Sequence, residues 1–122
     1  MTIQECYQKM GGDFAQVQKR LPSVKLVHRF IAKFLDDDSF SVLCDAMQEG
    51  QREAAFRAAH TLKGVCGNLS FSRLLSSVSQ LTELLRSETE NISENAVLLM
   101  EEVKADYELT AGTIRAYLNS VD

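Results

Sequence analysis

Tryptophan is absent from this 122-residue chain, and proline occurs once, at Pro22. Proline breaks helix interiors, so its scarcity leaves long stretches free to run as helix. No apolar run is long enough to span a bilayer, and no cleavable secretory pattern follows Met1. The expected location is therefore the cytoplasm, with no membrane partner. An excess of basic charge is also lacking: 13 Lys and Arg stand against 17 Asp and Glu, for a net charge of −4. Duplex-binding proteins are more often basic overall, so nucleic acid is not an expected partner. Cysteine is sparse. Cys6, Cys44 and Cys66 are odd in number and lack metal-type spacing, which fits a reducing compartment. There is no Gly-rich phosphate loop, which a nucleotide-using kinase would need. His28 and His60 are the two histidines and lie far apart, so no metal site is expected. No Ser-His-Asp arrangement can be assembled. The cofactors expected of the chain itself are none.

What is present favours helix. Hydrophobic residues make up 45% of the chain, enough to exclude wholesale disorder and to build a core at this length. Apolar residues recur at helical spacing throughout, and no strand-like alternation or internal repeat is found. Thr2 to Met10 reads as a short amphipathic helix with Ile3, Cys6, Tyr7 and Met10 on one side, stopped by Gly11-Gly12. Asp13 can begin a second, carrying Phe14, Val17 and Leu21. Pro22 ends it and suits the first position of the next helix.

Ser23 to Leu35 carries Val24, Val27, Phe30, Ile31, Phe34 and Leu35 on a wide apolar face, with Lys25, Arg29 and Lys33 in a stripe on another. This stripe is either a solvated face or a means of attracting an acidic partner. It belongs to a wider asymmetry, for residues 1–35 hold six Lys and Arg against two acids. Asp36-Asp37-Asp38-Ser39 marks a break or kink with good capping residues. Phe40, Leu43, Cys44 and Met47 continue to Gly50, a helix stop. After the turn Ser70-Phe71-Ser72, where either serine can cap, Leu74, Val78, Leu81 and Leu85 follow at heptad-like spacing. Among them Ser76, Ser77 and Ser79 suit a small polar surface or a close helix contact. Ser87 to Glu90 is a polar link, and Asn91 and Glu94 have capping-box spacing. Ala96, Leu99, Met100, Val103, Tyr107, Ala111, Ile114, Leu118 and Val121 then trace one stripe, weakened late by Gly112.

The fold expected is all-α: an antiparallel up-down four-helix bundle of residues 22–49 (one broken helix), 51–69, 71–87 and 91–119. Residues 1–21 form short capping helices at one end, and residues 1–122 make one domain. A monomer is expected, because such a bundle buries its own apolar faces.

One helix stands apart. Along Gln51 to Leu69, a helical advance of about 100° per residue puts Ala55, Ala58, Ala59, Leu62, Val65, Cys66 and Leu69 on the core face. Cys66 is there a small buried hydrophobe rather than a redox group. His60 points the other way, among Glu53, Phe56, Arg57, Lys63, Gly64 and Gly67. Each helical glycine costs about 1 kcal/mol relative to alanine. Two on one stripe, at Gly64 and Gly67, leave a bare flank along which another molecule can approach an exposed imidazole. Lys63 places an ammonium near the same ring, which suits an imidazole that meets phosphate. Phe56 either folds over a neighbouring helix or supplies part of an apolar docking patch.

His60-Thr61-Leu62-Lys63-Gly64 followed by Gly67-Asn68-Leu69 resembles the signature of histidine-containing phosphotransfer (HPt) domains of bacterial two-component phosphorelays. Similarity extends from Ala54 through Ala59 and from Phe71 through Arg86. The resemblance implies a helical bundle whose exposed histidine accepts a phosphoryl group from a receiver-domain aspartate and passes it to another. It implies His60 as the phosphoacceptor, Lys63 as a phosphate neighbour and Gly64 as the small residue that leaves room, while Gly67 joins Gly64 as an access residue on the helical-face reading alone. Phe56, Arg57 and Asn68 are candidate docking residues from their place on the helix, not from the resemblance. Partners would be receiver domains and a sensor or hybrid histidine kinase, and Mg²⁺ would sit on the receiver. Some family members place a glutamine on the following helix near the histidine; here Thr82 falls at that position and Gln80 two residues before it, leaving open whether either contacts His60. A histidine-kinase dimerisation helix usually has an acid after the histidine, where this chain has Thr61. The alternatives are a helical adapter that does not use the motif, and a metal-binding bundle using His60.

Overall fold

The computed structural model describes residues 1–120 as seven helices joined by short links. They are α1 (Ile3–Lys9), α2 (Phe14–Arg20), α3 (Val24–Phe34), α4 (Ser39–Gln48), α5 (Arg52–Leu69), α6 (Ser72–Ser87) and α7 (Glu94–Ser120). No strand occurs among the described residues. The expected all-α bundle is what forms. α5 lies at its centre, packed mainly against α6 and α4, while α6 packs against α7. α4 reaches α7 through Phe40, stacked flat on Tyr107 with ring centroids 3.7 Å apart.

The core follows the apolar periodicity on α5 and α6. Ala55, Ala58, Ala59, Leu62, Cys66 and Leu69 of α5 are buried, as are Leu74, Val78, Leu81 and Leu85 of α6. Val65 departs from this set: it is half-buried at the wall of a surface groove. Ser77 is the buried serine of α6, donating its hydroxyl to the Leu74 carbonyl. On α7, Ala96, Met100, Val103, Ala111 and Ile114 are buried as expected, but so are Asp106, Thr110 and Tyr117. Asp106 accepts from Arg73 Nε at 3.0 Å, and Thr110 donates to the Asp106 carbonyl, which satisfies both. Leu99, Tyr107 and Leu118 are half-buried, and Val121 lies outside the described residues.

Residues 22–49 form two helices, α3 and α4, rather than one kinked rod. The amides of Leu35, Asp36 and Asp37 tighten onto the carbonyls three residues earlier, and Asp37 Oδ1 accepts the Ser39 amide at 2.9 Å. Helical bonding cannot cross this stretch. α3 is thereby free to pack against α2, α5 and α7.

Several helix starts differ from the sequence reading. Pro22 stands outside α3, whose N-cap is Ser23, with its hydroxyl accepting the Leu26 amide. Neither Ser70 nor Ser72 caps α6; Phe71 is its N-cap residue. The first residue of α7 is Glu94, and Ser93, not Asn91, accepts the Ala96 amide. A capping box at Thr2 and Glu5 opens α1.

Ser70 instead closes α5. It adopts a left-handed conformation (φ 56°), with its amide bonded to the Gly67 carbonyl and the Phe71 amide to that of Cys66. This is a Schellman closure made without glycine. Long-range bonds hold it: the Ser70 carbonyl accepts the Asp13 amide, and Tyr7 Oη donates to the Leu69 carbonyl at 2.8 Å. Arg20 donates to the carbonyls of Gly67 and Asn68 and to Ser70 Oγ, placing a cation at the negative end of α5. The N-terminal helices thus fasten the C-terminal end of the helix that carries His60. Gly11 makes the approach possible. Its φ is +71°, and a Cβ there would lie 2.8 Å from that of Arg73.

Candidate functional site

The mid-helix position of His60 follows from its register on α5, with the buried alanines on the opposite side. Its side chain is exposed, and no hydrogen bond among the described residues engages either ring nitrogen. The two nitrogens are open to an incoming reactant. Phe56, one turn earlier, is half-buried at the core margin, with its ring 6.0 Å from the imidazole and inclined by 26°. The guanidinium carbon of Arg86, on α6, lies 5.0 Å from the Phe56 ring centroid. Phe56 therefore reaches over to α6 and flanks His60 at once.

One turn after His60, Lys63 points toward α6, and its Nζ lies 3.9 Å from Glu83 Oε1. Glu83 Oε2 lies 3.4 Å from Arg86 Nε. On this side of the imidazole a carboxylate of α6 sits between two cations. Neither Thr82 nor Gln80 hydrogen-bonds to His60. Thr82 is fully buried with its hydroxyl on the Val78 carbonyl, and exposed Gln80 bonds to Ser76. Thr82 was the position aligned with the family's glutamine; its burial gives it a packing role instead.

A Cβ added at Gly64 or Gly67 would meet nothing within 4 Å. Neither glycine has a positive φ. The chain's own packing therefore requires neither, and what they provide is clearance above the helix. Gly112 on α7 is equally open, but it borders Met1, Lys9 and Glu108 and has no imidazole beside it. The Gly67 carbonyl carries a further duty, accepting from Arg20 at 2.6 Å.

On the other flank of His60, Asn68 and Val65 line a groove of about 360 Å³ against α2 and α3. Arg20, Phe30, Lys33 and Asp37 border it, and Phe30 is 39% exposed. Lys33 sits over the Phe30 ring at 5.8 Å, a cation on an aromatic face. Arg57 lies elsewhere. It is held by Glu53 at 2.6 Å and lines a shallow depression with Val42 and Thr61. The structure thus brings His60, Phe56, Lys63, Gly64 and Gly67 together, puts Asn68 in a neighbouring groove and turns Arg57 toward α4. Sequence reasoning missed Glu83 and Arg86, which enter only through the α5–α6 pairing, and Arg20 and Phe30, which enter through the fold of α2 and α3. The i,i+3 spacing of Glu83 and Arg86 was the one local sign of the first pair.

The thiols are not reactive partners for the site. Burial pushes Cys66 up to about 12 and Cys6 up to about 11, so both stay protonated near neutrality. Among the described residues, no three His, Cys, Asp or Glu side chains converge as metal ligands. No helix among them is long and apolar enough to cross a membrane.

The described residues form a helical bundle in which the exposed imidazole of His60 bonds to none of them and stands on a helix surface left open at Gly64 and Gly67. A family model of the Hpt domain matches residues 25–116, three quarters of the chain, and the chain belongs to that family. Hpt domains are phosphocarriers of two-component phosphorelays, working with receiver domains and kinases. No curated protein and no solved structure matches the chain.

Proposed function

We propose that this chain is a cytoplasmic phosphorelay intermediate that accepts a phosphoryl group on His60 from a receiver-domain aspartate and passes it to a second receiver. The observation that carries this reading is the exposed His60 ring, without a hydrogen bond among the described residues and flanked by Lys63 and the open surface at Gly64 and Gly67. Neutral imidazole is a nucleophile near pH 7. Its Nε2 projects farther from the backbone than Nδ1. The Nε2 lone pair attacks phosphorus, the N–P bond forms, and the P–O bond to the aspartate breaks with its electrons leaving on the carboxylate. Reversal onto another aspartate returns the imidazole. Lys63 offsets the charge on the transferred group, while the receiver supplies the aspartate and Mg²⁺. The chain brings no cofactor of its own. Rate comes from positioning two groups within one complex and from charge neutralisation.

The groove at Asn68 supports the docking side of this reading. Phe30 and Val65 offer apolar surface, and Arg20 and Lys33 offer positive charge to an acid-lined receiver site. Lys25 and Arg29, exposed on α3, extend the basic surface. Residues 1–122 act as one unit, because α1 and α2 fasten the end of α5, and the unit works as a monomer.

The test mixes the protein with a phosphorylated receiver and Mg²⁺ and follows phosphate on the chain. Acid-labile, base-stable label confined to His60 is expected. A His60→Gln protein that accepts phosphate at the full rate would reject the assignment. Receiver binding with no label on the wild type would favour an adapter that leaves the motif unused.

A further inference from the structure

We propose that Glu83 is a positioning residue that holds Lys63 and Arg86 ready beside His60 and releases them to the phosphoryl group when the ring carries it. The inference rests on the phosphocarrier reading and adds to it a counter-ion on α6. Glu83 touches the two cations through different oxygens, Lys63 at 3.9 Å and Arg86 at 3.4 Å. Both separations are long for ion pairs, and the side chains are 36% (Lys63), 59% (Glu83) and 52% (Arg86) exposed. Such pairs are held loosely and screened by water, so a stronger anion can take the cations over. A phosphoryl group carries up to two negative charges and three acceptor oxygens, against one charge on the carboxylate. Lys63 is one helical turn from His60, where side chains are neighbours. Arg86 is brought in by Phe56, whose ring lies near both its guanidinium and the imidazole.

Arg57, paired with Glu53 at 2.6 Å, is turned toward α4 and takes no part in this cluster. Glu83 is then the one carboxylate among the described residues paired with both Lys63 and Arg86. Before transfer it pairs with both and holds them in place. After transfer it stands as a negative charge near the phosphoryl group and competes for the same two partners. This competition keeps phosphohistidine from becoming a sink.

Phosphoramidate, a small P–N donor, tests this without a receiver. The Nε2 lone pair forms the new N–P bond as the donor's P–N bond breaks and ammonia leaves. The phosphoryl group on His60 is then titrated by ³¹P nuclear magnetic resonance, with His60→Gln identifying its resonance by loss. Compared with the wild type, Glu83→Gln is expected to lower the phosphoryl midpoint by about half a pH unit, because a negative charge has gone and two cations are freed. Arg86→Gln is expected to raise it. A helix-surface role alone would leave both midpoints at the wild-type value. The absence of either shift, in a wild type that does label, overturns the positioning role and leaves the carrier reading intact. A wild type in which His60 takes no phosphoryl group removes the carrier reading, and this inference falls with it.

Discussion

The two histidines of this chain receive opposite treatment. His28 on α3 is half-buried, its Nδ1 3.0 Å from Tyr117 Oη and its ring edge-on to the Tyr117 ring at 5.4 Å. His60 on α5 is exposed, has no hydrogen bond to any other described residue and lies 6.0 Å from the Phe56 ring, with Lys63 one helical turn on. A ring nitrogen already bonded to a buried phenol is oriented and occupied, which serves packing. A nucleophile needs a free lone pair and a path to it. The contrast shows that the availability of the imidazole, rather than its presence, marks a site.

The largest break in this comparison comes from exchanging the roles. His60→Gln should lose phosphate acceptance entirely, whereas His28→Gln should accept at close to the wild-type rate, as read by acid-labile label from a phosphorylated receiver. Next is Lys63→Met. It leaves the ring open but removes a charge, and transfer should slow about tenfold or more in rapid-quench measurements, with receiver affinity changed less. Gly64→Ala separates access from stability. A Cβ there meets nothing, so the variant should be more stable by about 0.5–1 kcal/mol in urea unfolding, yet slower in transfer. Tyr117→Phe sharpens the other half of the comparison. Loss of its bond to His28 should cost about 1 kcal/mol of stability and leave phosphate acceptance unchanged.

A last prediction concerns groups hidden more deeply than either histidine. The buried thiols of Cys6 and Cys66 titrate above their ordinary value of 9.0 in the folded chain. Above pH 9 the unfolded chain therefore releases thiol protons that the folded chain keeps, and alkali favours unfolding. Their contribution is complete below pH 9 and declines as pH rises toward about 12 for Cys66. Urea midpoints should fall between pH 8 and pH 10.5, and Cys66→Ala should reduce the slope.

Much of the site was legible because it lies on one helix. The period of α5 alone separates the alanines, Leu62 and Cys66 from His60, Lys63, Gly64 and Gly67. Val65 escaped this reading because a groove, not the core, meets its flank. Helix ends were read less well: Ser93 capped α7 in place of Asn91, and Ser70 closed α5 instead of starting α6. Candidate caps stood one to three residues apart, and local preference does not choose among them. Burial of Asp106 and Thr110 was likewise hidden, since their partners are set by the packing of α6 against α7 and by the local helix.

By itself the sequence determined an all-helical bundle and an imidazole turned away from its core, because both depend on periodicity within single helices. Tertiary structure alone decided that Glu83 meets Lys63 and Arg86 meets Phe56 on the two sides of His60's turn, that Arg20 closes the far end of its helix, and that Phe30 borders the groove next to it. These residues come from elements whose neighbours are chosen by burial of apolar faces. No local spacing records which polar side chains that burial brings together.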